Sequence, residues 1–314
     1  MLKSLLSLLT VCCLHGIAIS QVDLYLQTFG DSSDPALIYL HGGPGYNCST
    51  FEASTAQSLA DRGFFVIVYD RRGEGRSSAL NAKYSFEESI ADINLLMKQF
   101  KIAKASLLGH SFGGMLAIKY AEKFPENVEE IFLIGAPISL QKTFKNIILK
   151  SKEIYTAKGD STSLLYINML EKMDTTSLMY GSYSFMHAMQ NGFYSPKKPT
   201  EEAIQIMQKM STHAEAIHFS EMTTEGPTGF YQTEKYTTLD LMPEVRKLVK
   251  NGVKITGLYG EEDGLYSGDQ VFELQDVIGK DNIFYFSRCS HSVFIDQQSS
   301  FLEVITTNLN HLKK

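Results

Sequence analysis

Residues 105–114 read Ala-Ser-Leu-Leu-Gly-His-Ser-Phe-Gly-Gly, and the interpretation of this stretch decides the fold. Ser106 to Leu108 is a short apolar run of the kind buried inside a sheet covered on both faces. Gly113 to Phe124 follows with helical spacing until Pro125 stops it. Between them, Gly109-His110-Ser111-Phe112-Gly113 supplies the small residues that let a strand turn sharply into a helix. Such a turn pushes the Ser111 hydroxyl out above the sheet, with the unpaired N–H groups and dipole of the helix N-terminus behind it. Taken alone, the pattern also suits an ordinary glycine-rich turn, so its weight comes from what surrounds it.

Upstream, Ala36 to Leu40 and Phe64 to Tyr69 are further short apolar runs, and Ile131 to Ile134 is another downstream. Ser85 with Glu88 has the capping-box spacing, and Ile90, Ile93, Met97 and Phe100 fall on one helical face. Strands alternating with helices predict a mostly parallel sheet flanked by helices. Before Ala36 only Val22 to Phe29 has strand character, which leaves the start of the sheet short. From about Ser139 to Lys250 the pattern changes: the segment is helix-rich, dense in Met, Tyr, Lys and Glu, and lacks strand patterns. Alternation resumes at Val253 to Tyr259 and Asn282 to Phe286, and a closing helix places Phe301, Ile305 and Leu312 on one face. The expected organisation is a catalytic α/β domain from residues 21–138 and 251–314, with a helical lid over residues 139–250.

A serine nucleophile needs a base, and the base needs an orienting carboxylate. Beyond Ser111 the histidines are His187, His213, His218, His291 and His311. Only His291 stands in a loop after a predicted final strand, so it is the expected base. The acid is expected at an earlier strand end, where Gly260-Glu261-Glu262-Asp263-Gly264 follows Val253 to Tyr259. Asp263 is favoured and Glu262 is the fallback. A second glycine-rich turn, His41-Gly42-Gly43-Pro44-Gly45, follows the run ending at Leu40. Its backbone can approach a reacting carbonyl closely. With the Phe112 N–H, an N–H from Gly43, or alternatively Gly42, would form a two-donor oxyanion hole. His41, at the strand end beside this loop, is read as structural.

These segments, together with Asp70-Arg71-Arg72-Gly73-Glu74-Gly75-Arg76-Ser77, resemble the prolyl iminopeptidase family of α/β-hydrolases. The resemblance implies the α/β-hydrolase fold with Ser111, Asp263 and His291 as its triad. It also implies an acyl-enzyme route that releases an N-terminal residue, often proline, from small peptides without a metal or cofactor. His110 and Phe112 depart from the family's usual Gly before the nucleophile and Trp or Tyr after it; His110 is more typical of esterases. A carboxylic ester or lactone is therefore the alternative substrate. The family holds the substrate amine with lid glutamates, and Glu215-Ala216-Ile217-His218-Phe219 is similar to that segment with altered spacing. Glu215, Glu221 and Glu225 are the resulting candidates for substrate binding, because a buried ammonium needs a carboxylate partner.

Composition bounds the rest. At 314 residues and 44% hydrophobic, the chain has material for one large domain with an insertion. A net charge of -6 without a basic run argues against nucleic acid. Lys3, the apolar run Leu5 to Leu14 and the small residues of Ala18-Ile19-Ser20 read as a signal peptide cleaved before Gln21. Export to a periplasm or the medium is expected, and no run is long enough for a stable membrane span. Removing residues 1–20 leaves Cys48 and Cys289, expected as independent thiols, although an exported compartment would permit them to pair.

Overall fold

A computed structural model describes residues 23–313; the expected signal peptide lies outside them. Seven strands form one sheet: β1 (Leu26–Phe29), β2 (Ala36–Leu40), β3 (Phe65–Tyr69), β4 (Ala105–His110), β5 (Val128–Ile134), β6 (Lys254–Gly260) and β7 (Ile283–Phe286). Their order across the sheet is β1-β3-β2-β4-β5-β6-β7. Every neighbouring pair is parallel except β1 with β3, so the short initial strand closes one edge in the opposite sense. Every residue of β2, β3 and β4 is buried, as the apolar runs of β2 and β3 require; β4 carries the polar Ser106 and His110 into the interior.

The two-residue period of each strand divides its side chains between two cores. On one face Ile38, Leu40, Ile67, Leu107 and Leu133 pack with Ile90, Ile93, Met115 and Ile118 of the helices Phe86–Gln99 and Phe112–Lys123. On the other, Leu37, Tyr39, Val66, Leu108 and Phe132 pack with Phe51, Phe294, Phe301 and Ile305. The cap of helix Phe86–Gln99 differs from the expected reciprocal box. Ser85 Oγ accepts from Glu88 N at 3.2 Å, but the Glu88 carboxylate turns to Lys83 N at 2.6 Å. The side chain that would close the box is used by the preceding loop.

Between β5 and β6 the chain forms the helices Leu140–Lys158, Ser161–Leu170, Leu178–Gln190, Glu201–Ser211 and Glu225–Glu234. The excursion is pinned where it leaves and where it returns: Ser139 and Asp240 form an antiparallel bridge, and Leu241 N donates to Ile138 O at 2.8 Å. The next helix, Met242–Lys250, was expected within the insertion. It packs instead against the helices Phe112–Lys123 and Gly268–Ile278, so it belongs to the layer flanking the sheet. Among the described residues no helix is long and apolar enough to cross a membrane.

Candidate active site

Ser111 sits between β4 and helix Phe112–Lys123 with φ 52° and ψ -123°, a conformation costly for a residue with a Cβ. The turn is held from both sides: Ser111 N donates to Ile134 O at 2.9 Å, and Gly114 N donates to Ser111 O at 2.9 Å. The flanking glycines are required by contact. A Cβ on Gly113 would lie 1.9 Å from Leu40 O, and one on Gly109 would lie 2.6 Å from Gly114 Cα. Helix and strand meet backbone to backbone here, which leaves Ser111 at the crest of the turn.

The loops after β6 and β7 bring Asp263 and His291 together. His291 Nδ1 lies 2.8 Å from Asp263 Oδ2, and Asp263 Oδ1 accepts from Leu265 N at 2.9 Å. Both side chains are buried. A proton on Nδ1 facing the carboxylate leaves Nε2 as the basic nitrogen. Glu262, the fallback, is committed elsewhere, accepting from Lys197 N at 2.6 Å. The His291 ring packs against His110 (centroids 4.9 Å apart) and edge-on to Tyr194 (5.1 Å). His110 Nε2 is 3.2 Å from His291 O, so the residue before Ser111 also tethers the backbone of His291. Burial and the neighbouring His291 hold the His110 imidazole well below its usual range, which keeps it neutral. Among the described residues no hydrogen bond joins Ser111 to His291, whose Nδ1 is engaged by Asp263.

The other histidines have separate partners. His187 is buried against Tyr155 Oη at 2.9 Å, His213 caps the turn at Glu215 N, His218 pairs with Glu221, and His311 faces Glu129. His41 is fully buried with both ring nitrogens engaged: Arg71 N donates to Nε2 at 3.0 Å, and Nδ1 reaches Gly42 O at 2.9 Å. Burial and the Arg71 guanidinium push its pKa well down, so it is a neutral strut for the loop.

Gly43 has φ 110°, and its bond to Pro44 is cis. It lines a small cavity with Ser111, Phe112, Met115, Pro137, Leu140, Thr143, Phe185, Tyr236, Leu265 and Tyr266. That cavity measures about 20 Å³, close to the volume a single water needs. It is apolar apart from hydroxyls and backbone, and no carboxylate lines it. Gly42 lies beneath, where a Cβ would stand 3.2 Å from Ser111 Cβ.

The lid glutamates do not reach this cavity. Glu215 is ion-paired with Arg76 Nη1, and Glu221 lies 2.7 Å from His218 Nδ1. Glu225 is exposed at the start of its helix. Arg76 also binds Asp70 (2.7 Å) and Glu52 (2.9 Å). The Glu215–Phe219 turn is docked by backbone contacts, with Asn47 Nδ2 donating to His218 O at 2.9 Å and Tyr46 Oη to Phe219 O at 2.7 Å. Cys48 and Cys289 are buried free thiols in the same core. Asp296, which the sequence does not single out, accepts from Ser290 N at 2.8 Å and so supports the loop that carries His291. No local pattern marks it.

Comparison with known proteins agrees with the α/β-hydrolase fold seen here. Residues 35–161 match the α/β-hydrolase fold model, a span that contains Ser111 and both glycine turns but ends before Asp263 and His291. A proline iminopeptidase of Lactobacillus helveticus is 24% identical over 298 residues, covering 90% of this chain and 92% of that one. Some other curated relatives match over half of their length or less. Among solved structures, a proline iminopeptidase-related protein of Thermus thermophilus superposes with a TM-score of 0.65 at 20% identity, covering 95% and 96% of the two chains. An esterase of Exiguobacterium antarcticum gives 0.60 at 18%, covering 91% and 95%.

Proposed function

This chain is an α/β-hydrolase by fold, and from that premise we propose that it is a serine hydrolase with Ser111 as nucleophile, His291 as base and Asp263 as its orienting acid. The observation that carries the reading is the 2.8 Å contact between His291 and Asp263 beside a Ser111 held at positive φ. His291 Nε2 takes the Ser111 proton as Oγ adds to the substrate carbonyl. The negative oxygen is received by the N–H groups of Gly43 and Phe112. The imidazolium then gives its proton to the leaving group, and water repeats the cycle on the acyl-enzyme. Ser111→Ala is expected to remove turnover and labelling by a fluorophosphonate probe. Wild-type turnover in that variant would refute the mechanism.

The acyl group that fits best is small and uncharged, because the cavity at Ser111 contains no carboxylate to receive an ammonium. That favours a carboxylic ester. The aminopeptidase reading is favoured by the similarity to proline iminopeptidases over nearly the whole chain, and it needs Glu215 to leave Arg76. The two separate in one assay pair. If the ester reading holds, a short acyl ester is turned over faster than proline naphthylamide, and Glu215→Gln changes neither by more than about twofold. If the peptidase reading holds, the amide is preferred and Glu215→Gln suppresses it selectively. Export belongs to the same proposal: the mature protein recovered outside the cytoplasm should begin at Gln21 by intact mass.

A further inference from the structure

Arg71 is almost fully buried, and its guanidinium binds the loop that would hold the oxyanion. Its Nη1 donates to His41 O at 2.5 Å and its Nη2 to Gly42 O at 2.6 Å. Glu74 secures the guanidinium from behind, with Oε2 2.6 Å from Nη2 and Oε1 accepting from Gly45 N at 3.0 Å. The Arg71 main chain completes the frame by donating to His41 Nε2. One residue pair therefore grips the loop at His41, Gly42 and Gly45. The guanidinium also lies 5.2 Å from the centroid of the Phe112 ring, whose residue would supply the second donor.

The planarity of the peptide bond gives this grip a direction. In a trans peptide the C=O and the following N–H point to opposite sides. Drawing Gly42 C=O onto a fixed cation turns Gly43 N–H to the opposite side of the peptide, and Gly43 lines the cavity beside Ser111. A cationic donor on the carbonyl also polarises the peptide and strengthens its N–H as a donor. A buried ion pair is a poor source of net stability, because desolvation offsets its attraction. Orienting the loop gives the pair a use that stability does not.

We infer that Arg71, held by Glu74, is a positioning residue for the oxyanion site, fixing the Gly42–Gly43 peptide so that Gly43 N–H faces the carbonyl oxygen attacked by Ser111. The inference rests on the serine-hydrolase reading above. It is tested with the double variant Arg71→Met/Glu74→Gln, which removes both charges together and leaves neither uncompensated, and with Arg71→Lys, which keeps the charge but lacks a fork to span both carbonyls. For a short acyl ester, kcat should fall on the order of 10- to 100-fold in each, because one donor is displaced without being deleted. KM should stay within about twofold, and the pH profile set by His291 should not move. Affinity for a trifluoromethyl ketone, which mimics the tetrahedral adduct, should fall in step with kcat/KM, a relation that a general loss of packing would not produce. Wild-type kcat in either folded variant, or a kcat loss without weakened ketone binding, overturns the inference. If the double variant does not fold, Arg71→Lys alone decides. Failure of wild-type Ser111 to label with fluorophosphonate would instead overturn the parent reading, so the two failures are distinguishable.

Discussion

Asp296 stands one hydrogen bond from the loop that carries His291, and its burial pushes its carboxyl from the ordinary 3.8 up to about 6, with the nearby carboxylates of Asp263 and Glu262 adding to the effect. A carboxyl raised on folding favours the native state while protonated. The contribution is fully present below about pH 4 and is lost as the pH rises through about 6. The displacement corresponds to on the order of 3 kcal/mol. Asp296→Asn keeps an oxygen for Ser290 N and carries no charge, so its stability should fall less steeply between about pH 4 and 7 than that of the wild type. Urea denaturation across that range checks this; parallel curves for the two proteins would remove Asp296 as the source. The candidates Ser111, Asp263 and His291 stand out in the sequence because each follows a strand end, and the structure brings Asp263 and His291 within 2.8 Å of each other. The contacts made by Arg71, Glu74, Asp296 and His110 are not legible in the same way. Their partners come from other loops, and no spacing along the chain encodes a meeting in space.

At the scale of elements, the close crossing of β2, β4 and helix Phe112–Lys123 sets the geometry of the site. Gly113→Ala would place a methyl 1.9 Å from Leu40 O, backbone that cannot swing aside. The helix must move away from the sheet, at a cost on the order of 3 kcal/mol, and the Phe112 N–H moves with it. Gly63→Ala is the matched control: at φ +79° nothing lies within 4 Å of the added methyl, so only backbone strain of about 1 kcal/mol applies. Chemical denaturation should separate the two variants, and equal losses would mean that contact at Gly113 is not the constraint. Five strands are readable to within two residues at each end, and β5 begins three residues earlier than its apolar run Ile131 to Ile134 suggests, because Val128-Glu129-Glu130 interrupts the run with two carboxylates. The edge strand was readable only as a broad region, since β1 has one paired side and mixed burial. The sequence places the helix Met242–Lys250 within residues 139–250, and its packing on the layer flanking the sheet is not legible for a related reason: an amphipathic helix declares that it has an apolar face, but not which surface covers it.

Across the whole molecule, Arg76 joins three regions distant in the chain. It binds Asp70 at the end of β3, Glu52 in the first helical segment and Glu215 in the insertion, and it stacks at 3.4 Å on Tyr25 beside the edge strand. Tyr25 in turn donates to Glu52 at 2.8 Å. Arg76→Met would leave this group of carboxylates without its cation, and the native state should lose on the order of 3–5 kcal/mol. Adding Glu215→Gln should recover part of that loss and leave the 214–219 turn with faster amide exchange than in wild type. If the second substitution recovers nothing, Glu215 does not share the cation energetically. The sequence marked both Arg76 and Glu215 as members of suggestive segments but gave no sign that they meet, because that contact depends on how the helical excursion folds back over the sheet.

The bridge between Ser139 and Asp240, with Leu241 bonded to Ile138, has an evolutionary corollary. The two ends of the helical excursion are already stapled side by side, so the cost of closing that loop falls on the stem and not on whatever hangs from it. The contents become exchangeable cargo: a lineage can swap them to change diet while the reacting groups keep their spacing. A chimera spliced at this stem should therefore inherit its appetite from one parent and its chemistry from the other.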